Sequence, residues 1–199
     1  MYQYYSQANQ DEFVFNILNK QLNGTFIDIG SSEPIYWNNS FFLESIGWNG
    51  ICIDLGEYNY SNRKCKYYST DALKIDYLKL FEDNNIPNVI DYLSLDIDYY
   101  TLDCLKKIPL NKYRFKTITI EHDNYRFHDL LRFEQREILL KQGYYLLCSD
   151  ITCLPLQSDQ YFEDWWVDKN YVSKELISLI KSDKELCSSI VNKFKSVKL

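Results

Sequence analysis

Apolar residues along this chain fall into short, nearly unbroken runs separated by longer stretches at helical spacing. Positions 26–29 (Phe-Ile-Asp-Ile) and 51–55 (Ile-Cys-Ile-Asp-Leu) are almost wholly apolar and run into a glycine, the pattern of strands covered on both faces of a parallel sheet. Between them Phe41, Phe42, Leu43 and Ile46 read as a helical segment. The alternation continues with strands over 65–71, 90–96, 115–121 and 144–148, and helices over 73–84, 101–107 and 130–142, the last stopped by Gly143. Strands alternating with helices join through right-handed crossovers. The expected fold is therefore α/β, a doubly wound, mostly parallel sheet with its ligand beyond the carboxyl ends of the strands, near the switch point. The character changes at 173–199, where Leu176, Ile180, Ile190 and Phe194 recur at helical spacing with lysines between them. This predicts an amphipathic helix, packed either on the core of a single domain over 1–172 or on a second copy of the chain.

Composition narrows the function. A length of 199 residues suits one core, and 22 Lys plus Arg against 28 Asp plus Glu leave a net charge of -6. A phosphate backbone would meet a repulsive average field, so nucleic acid is not an expected partner. The first ten residues lack the basic start and apolar run of a secretory leader, and no apolar run approaches the ~18 residues of a membrane span. A cytoplasmic protein without a membrane partner is expected. Six cysteines without a CxxC spacing read as reduced, buried thiols, and two histidines are too few for a zinc site.

Five of the six glycines lie between positions 24 and 56, so tight turns concentrate around the first two strands. Acids mark nearly every strand end: Asp28, Asp54, Asp71, Asp96 with Asp98, and Glu121 with Asp123. In a nucleoside-binding sheet the acid after the second strand accepts hydrogen bonds from ribose hydroxyls, a role that Asp54 fits. Only Gly30 remains of the three glycines that a pyrophosphate turn needs, and Glu33 would repel phosphate but attract a cation such as a sulfonium. Plain helix capping is the competing reading of each acid.

Taken together, several segments resemble one family. Ser6-Gln7-x-x-Gln10-Asp11-x-Phe13-Val14, Phe26-Ile27-Asp28-Ile29-Gly30, Asn39-Ser40-x-Phe42-Leu43-Glu44 and Gly47-Trp48-x-Gly50-Ile51-Cys52-Ile53-Asp54 are similar in order and spacing to the FkbM-type S-adenosylmethionine-dependent methyltransferases. Leu93-Ser94-Leu95-Asp96-Ile97-Asp98, Ile118-x-Ile120-Glu121-His122 and Phe162-Glu163-Asp164-Trp165-Trp166-Val167 extend the likeness to about residue 168. The resemblance implies a seven-stranded methyltransferase fold, S-adenosyl-L-methionine as cofactor, and methylation of a hydroxyl on a sugar, glycan or other small-molecule acceptor. It implies cofactor contacts from Gln10, Asp28, Gly30, Ser31, Glu33, Asn39, Asp54, Leu55, Asp71, Ala72 and Asp96. Two positions depart from the family pattern: Pro34 stands where another glycine is usual, and Asp54 replaces a glutamate. The alternative from another class is a relative that keeps the fold as a binding or scaffolding protein without the reaction.

Methyl transfer to oxygen is an in-line displacement that needs a held hydroxyl and a base, the latter contributing roughly 10² to 10⁴ in rate. His122, Glu121 and Asp96 are the candidate catalytic residues. His122 as base without a metal is the favoured arrangement, and a hard cation on Asp96 and Glu121 is the other. Trp165 and Trp166 would suit a lid over the acceptor, with Tyr36 and Trp37 on the opposite wall.

Overall fold

The computed structural model describes residues 2–196. In chain order the elements are α1 (Gln10–Ile17), β1 (Thr25–Ile29), α2 (Phe41–Ser45), β2 (Asn49–Asp54), β3 (Lys66–Ser69), α3 (Tyr77–Asp83), β4 (Val89–Leu95) and α4 (Thr101–Leu105). The second half adds β5 (Arg114–Glu121), α5 (Asn124–Phe127), α6 (Asp129–Lys141), β6 (Tyr145–Ile151), β7 (Glu163–Val167), α7 (Lys174–Ile180), β8 (Ser182–Asp183) and α8 (Cys187–Asn192). They build one sheet in the order β3-β2-β1-β4-β5-β7-β6-β8, parallel except for β7, which runs antiparallel to both its neighbours. The chain leaves β1 toward β2 and β3 and then crosses back to β4 on β1's other side, so the switch point lies between β1 and β4.

Side-chain alternation along the strands divides the interior in two. Phe26, Cys52, Tyr92 and Trp165 face α1, α2, α7 and α8. Ile27, Ile53, Leu93 and Trp166 face the layer of α3, α4 and α6. Helices therefore cover both faces, as the near-continuous apolar strands require.

Three expectations are corrected. Trp165 and Trp166 form no lid: they belong to β7, both wholly buried, with Trp165 stacked on Phe13 at 4.3 Å between ring centroids. The five-residue Glu-Asp-Trp-Trp-Val run sends one tryptophan to each face, and its acidic start hides it from a hydrophobic-run reading. The sheet has eight strands rather than seven among the described residues, because Ser182–Asp183 pairs with Cys148 and Ser149 at the edge. That strand also breaks the expected C-terminal helix into α7, α8 and a final helical turn, since Ile180 and Ile190 both reach the same core and the chain must double back between them. Position 1 of the expected domain and positions 197–199 of the expected helix lie outside the described residues. All six cysteines are unpaired by disulfides in the structure and buried. No helix among the described residues is long and apolar enough to cross a membrane.

Candidate active site

The turn after β1 is set by contact rather than by length. Gly30 has φ +85°, and a Cβ there would stand 1.6 Å from the Asp96 carbonyl oxygen, so only glycine lets the β1 and β4 ends come together at the switch point. Its N–H and that of Ser31 both donate to the Ile53 carbonyl oxygen. The following turn is pegged from beneath by Asn38, which is buried and donates to the carbonyls of Ser31 and Glu33 at 2.9 Å each. Arg63 clamps it from the side, donating to the Pro34 carbonyl at 2.5 Å and to the Glu44 carboxylate at 3.0 Å. The proline that departs from the family pattern therefore sits in an anchored turn.

Asp54 ends β2 half-buried, one oxygen accepting from Ser32 N–H at 2.9 Å and the other from Gly56 N–H at 2.8 Å. Each carboxylate oxygen keeps a further lone pair for a ligand hydroxyl. Leu55 beside it is exposed, and Glu33 is exposed on the turn above. Asp71 follows β3 and caps a short turn by accepting from Leu73 N–H, with Ala72 buried beneath.

Asp96 follows β4 and Glu121 ends β5 in adjacent register, so their carboxyls neighbour each other across the two strand ends. Burial first, then the nearby Asp123 and Asp98, raises the proton affinity of both; Asp96 further raises Glu121, whereas the contact with Glu121 works against the shift of Asp96. Glu121 also accepts from Asp98 N–H at 3.1 Å. Asp98, Glu121 and Asp123 bring one oxygen each within 4.8 Å of one another, a spacing that suits a cation. Arg126 supplies positive charge there by bridging Asp98 and Asp123.

Of the other expected cofactor residues, four are structural supports rather than open contacts. Asp28 is buried two positions before Gly30 and accepts from Ser40 Oγ at 2.7 Å, and burial pushes its carboxyl up to about 6. The Ser31 hydroxyl is held by Tyr60, and Asn39 donates to Ser94 Oγ at 2.9 Å. Gln10 donates to Glu163 Oε2 at 3.0 Å. Gly30, Glu33, Asp54, Leu55, Asp71 and Asp96 surround the strand ends.

His122 is not placed to act on an acceptor. Its ring is wholly buried, Nδ1 accepts from Asn124 N–H at 3.2 Å, and Nε2 points at Asp164 and Asp150 at 3.5 and 3.8 Å. Glu121 meets Asp98 while His122 meets Asp150 and Asp164, so the two neighbours serve different clusters. Arg136 closes this second cluster with hydrogen bonds to both aspartates at 2.7 and 2.8 Å. Burial alone would raise Asp164, but Arg136 and His122 hold it down to about 2.

Glu163 was given no role by the sequence reading. Register pairs it with Glu121 across β5 and β7, so Asp96, Glu121 and Glu163 stand in a row over three strands. Burial pushes its carboxyl up to about 8, against hydrogen bonds from Trp165 Nε1 and Gln10. The only signal available was its place in the Phe162–Val167 segment.

Exposed aromatics rim the same end. Tyr36 and Trp37 on the turn after β1 are 73% and 75% exposed, and Tyr99 and Tyr100 after β4 are 48% and 54% exposed. Tyr99 meets Tyr100 and Phe127 edge to face. A cleft of about 480 Å³ lies at the opposite end of β5, by Lys116 and Tyr171, away from this chemistry.

Residues 14–146 match the methyltransferase FkbM domain. The chain belongs to the FkbM methyltransferase family. No curated protein matches the chain as a relative. The FkbM match runs from α1 into β6 and takes in Gly30, Asp54, Asp96 and Glu121. It leaves Gln10, Glu163 and the α7–α8 segment outside. The fold and the reaction class expected from the sequence are thus those of a mostly parallel α/β methyltransferase domain.

Proposed function

We propose that this FkbM protein is an S-adenosylmethionine-dependent O-methyltransferase whose acceptor is a neutral sugar hydroxyl. The observation that carries the reading is the assembly of Gly30, Asp54, Asp96 and Glu121 around one switch point, with acids at the ends of β2, β4 and β5. The residues present fit the cofactor. Asp54 has lone pairs for the ribose hydroxyls, and the acids at the ends of β4 and β5 suit a positively charged sulfur. When bound, S-adenosylmethionine supplies a methyl group activated by its positive sulfur.

Glu121 is the base in this reading. It ends a central strand, and burial first, then the Asp96 carboxyl, raises its proton affinity well above the ordinary carboxyl range, which strengthens it as a proton acceptor. Asp96 positions it from the neighbouring strand end, and Arg126 bridges Asp98 and Asp123 beside it. The acid row disfavours phosphate-bearing acceptors, whereas the exposed faces of Trp37 and Tyr100 suit the apolar face of a sugar ring. Six free thiols agree with a reducing, cytoplasmic setting.

Isothermal titration with S-adenosylmethionine tests the reading. Asp54→Ala should weaken binding by on the order of 1.5–3 kcal/mol, the worth of hydrogen bonds to a charged group. Binding that is unaffected by Asp54→Ala removes the placement. A protein that binds no cofactor at all fits the scaffolding alternative instead.

A further inference from the structure

Cys52 lies in β2 and Cys65 directly precedes β3, and their sulfurs are 3.6 Å apart with the Cys65 thiol donating toward Cys52. Both are buried, Cys65 keeping 7% of its surface accessible. A disulfide holds its sulfurs about 2.05 Å apart, so closing this pair brings the two sulfurs roughly 1.5 Å nearer each other. The surroundings divide the roles of the two sulfurs. Cys52 Sγ has Arg63 Nη2 at 4.0 Å and Ser40 Oγ at 3.4 Å, and it receives the hydrogen bond of the Cys65 thiol. Cys65, which donates to Cys52 and is buried, is held protonated far above the ordinary thiol range.

We propose that Cys52 and Cys65 form a peroxide-reactive dithiol whose closure to a disulfide loosens the anchored turn over 31–40. The Cys52 thiolate attacks one peroxide oxygen, the O–O bond breaks, and the departing hydroxide takes up the proton that Cys52 released, giving water. The Cys65 sulfur then attacks the Cys52 sulfenic acid, and the second oxygen leaves as water with the Cys65 proton. Two thiols are oxidised to one disulfide while hydrogen peroxide is reduced to two waters, and a dithiol reductant reverses the bond.

The consequence follows from what these sulfurs touch. Ser40, beside Cys52, donates to Asp28, and Arg63, also beside Cys52, holds the Pro34 carbonyl and Asn38 Oδ1. The Cys65 N–H donates to Glu44, which is itself paired with Arg63. Drawing the two sulfurs together pulls on both ends of this clamp. The effect on the turn's ligand rests on the proposed cofactor site; the disulfide itself does not.

The test treats the folded full-length protein with hydrogen peroxide, quenches in acid, blocks remaining thiols with N-ethylmaleimide and maps peptides by mass spectrometry. The expected product is a Cys52–Cys65 link that dithiothreitol reverses, with Cys104, Cys148, Cys153 and Cys187 alkylated. A link elsewhere, or unlinked Cys52 and Cys65 in protein that has remained folded, overturns the proposal. Cys65→Ser should leave a Cys52 sulfenic acid that dimedone traps; if that variant does not fold, the map of the unsubstituted protein decides alone. Oxidised protein should bind S-adenosylmethionine roughly tenfold more weakly, the worth of about one hydrogen bond to a charged group, with recovery on reduction. A mapped disulfide with unchanged affinity overturns the link to the turn. Reduced protein that binds no cofactor counts against the methyltransferase reading and leaves the disulfide result standing.

Discussion

A methyl group at position 30 would lie 1.6 Å from the Asp96 carbonyl oxygen while forcing an L side chain into φ +85°. Neither strain can relax without separating β1 from β4, so Gly30→Ala should cost at least about 3 kcal/mol in urea unfolding, if the variant folds at all. Glu121 and His122 are neighbours in sequence with separable roles. Glu121→Gln should lower turnover by roughly 10² to 10⁴ while cofactor affinity in a titration stays near that of the parent. His122→Ala should act first on stability, because it leaves the buried Asp150 and Asp164 with Arg132 and Arg136 but without the imidazole between them. A His122→Ala protein that melts like the parent yet has lost turnover would return the base to His122.

At the scale of elements, β7 brings two acids of opposite character into the fold. Glu163, pushed up to about 8 by burial, stays protonated in the folded chain while the unfolded chain ionises it above its ordinary value of 4.5. Folding then binds the extra proton, so this contribution is fullest below about 4.5 and is lost as pH rises toward about 8. Asp164 is the reverse case. Held down to about 2, it stabilises above its ordinary value of 3.8 and loses that contribution as pH falls toward about 2. Melting temperature measured from pH 5 to 8 should therefore fall less steeply in Glu163→Gln than in the parent, and an unchanged slope would remove Glu163 as the cause. Helix α1 is tied to the same strand through Gln10 and Phe13, so it is part of the core as well as a cover for the site.

For the whole molecule, the C-terminal segment completes a core rather than decorating it. Leu176, Ile180, Ile190, Val191 and Phe194 belong to the same cluster as Phe13, Phe26 and Trp165. A chain ending at residue 172 should be insoluble or lack a cooperative melt, since it exposes one face of β6 and its neighbours. At the other end of the strands, Trp37 stands free on its turn, 75% exposed, where replacement disturbs little packing. Trp37→Ala should raise the acceptor KM in assays with labelled cofactor and leave cofactor affinity unchanged; an unaltered KM would remove the stacking role.

Local chemistry made much of this protein legible from its residues alone. The runs at 26–29 and 51–55 announce strands because a strand buried on both faces must be apolar nearly throughout, 115–121 announces one by its alternation, and the FkbM-like segments place Gly30, Asp54, Asp96 and Glu121 at strand ends. Position along a strand also foretold that Asp96 and Glu121 would meet, since adjacent parallel strands in register bring their final residues side by side. Pairing across distant segments was not legible. Nothing local distinguishes an exposed Trp165-Trp166 from one shared between two core layers, or shows that Ser182–Asp183 is a strand, because both depend on which backbone edge is free to receive them. Burial likewise separated His122 from Glu121, moved Asp28 and Gln10 beneath the site, and set Glu163 beside Glu121. Proton affinity, reach and exposure are properties of surroundings, and only the tertiary structure brings those surroundings together.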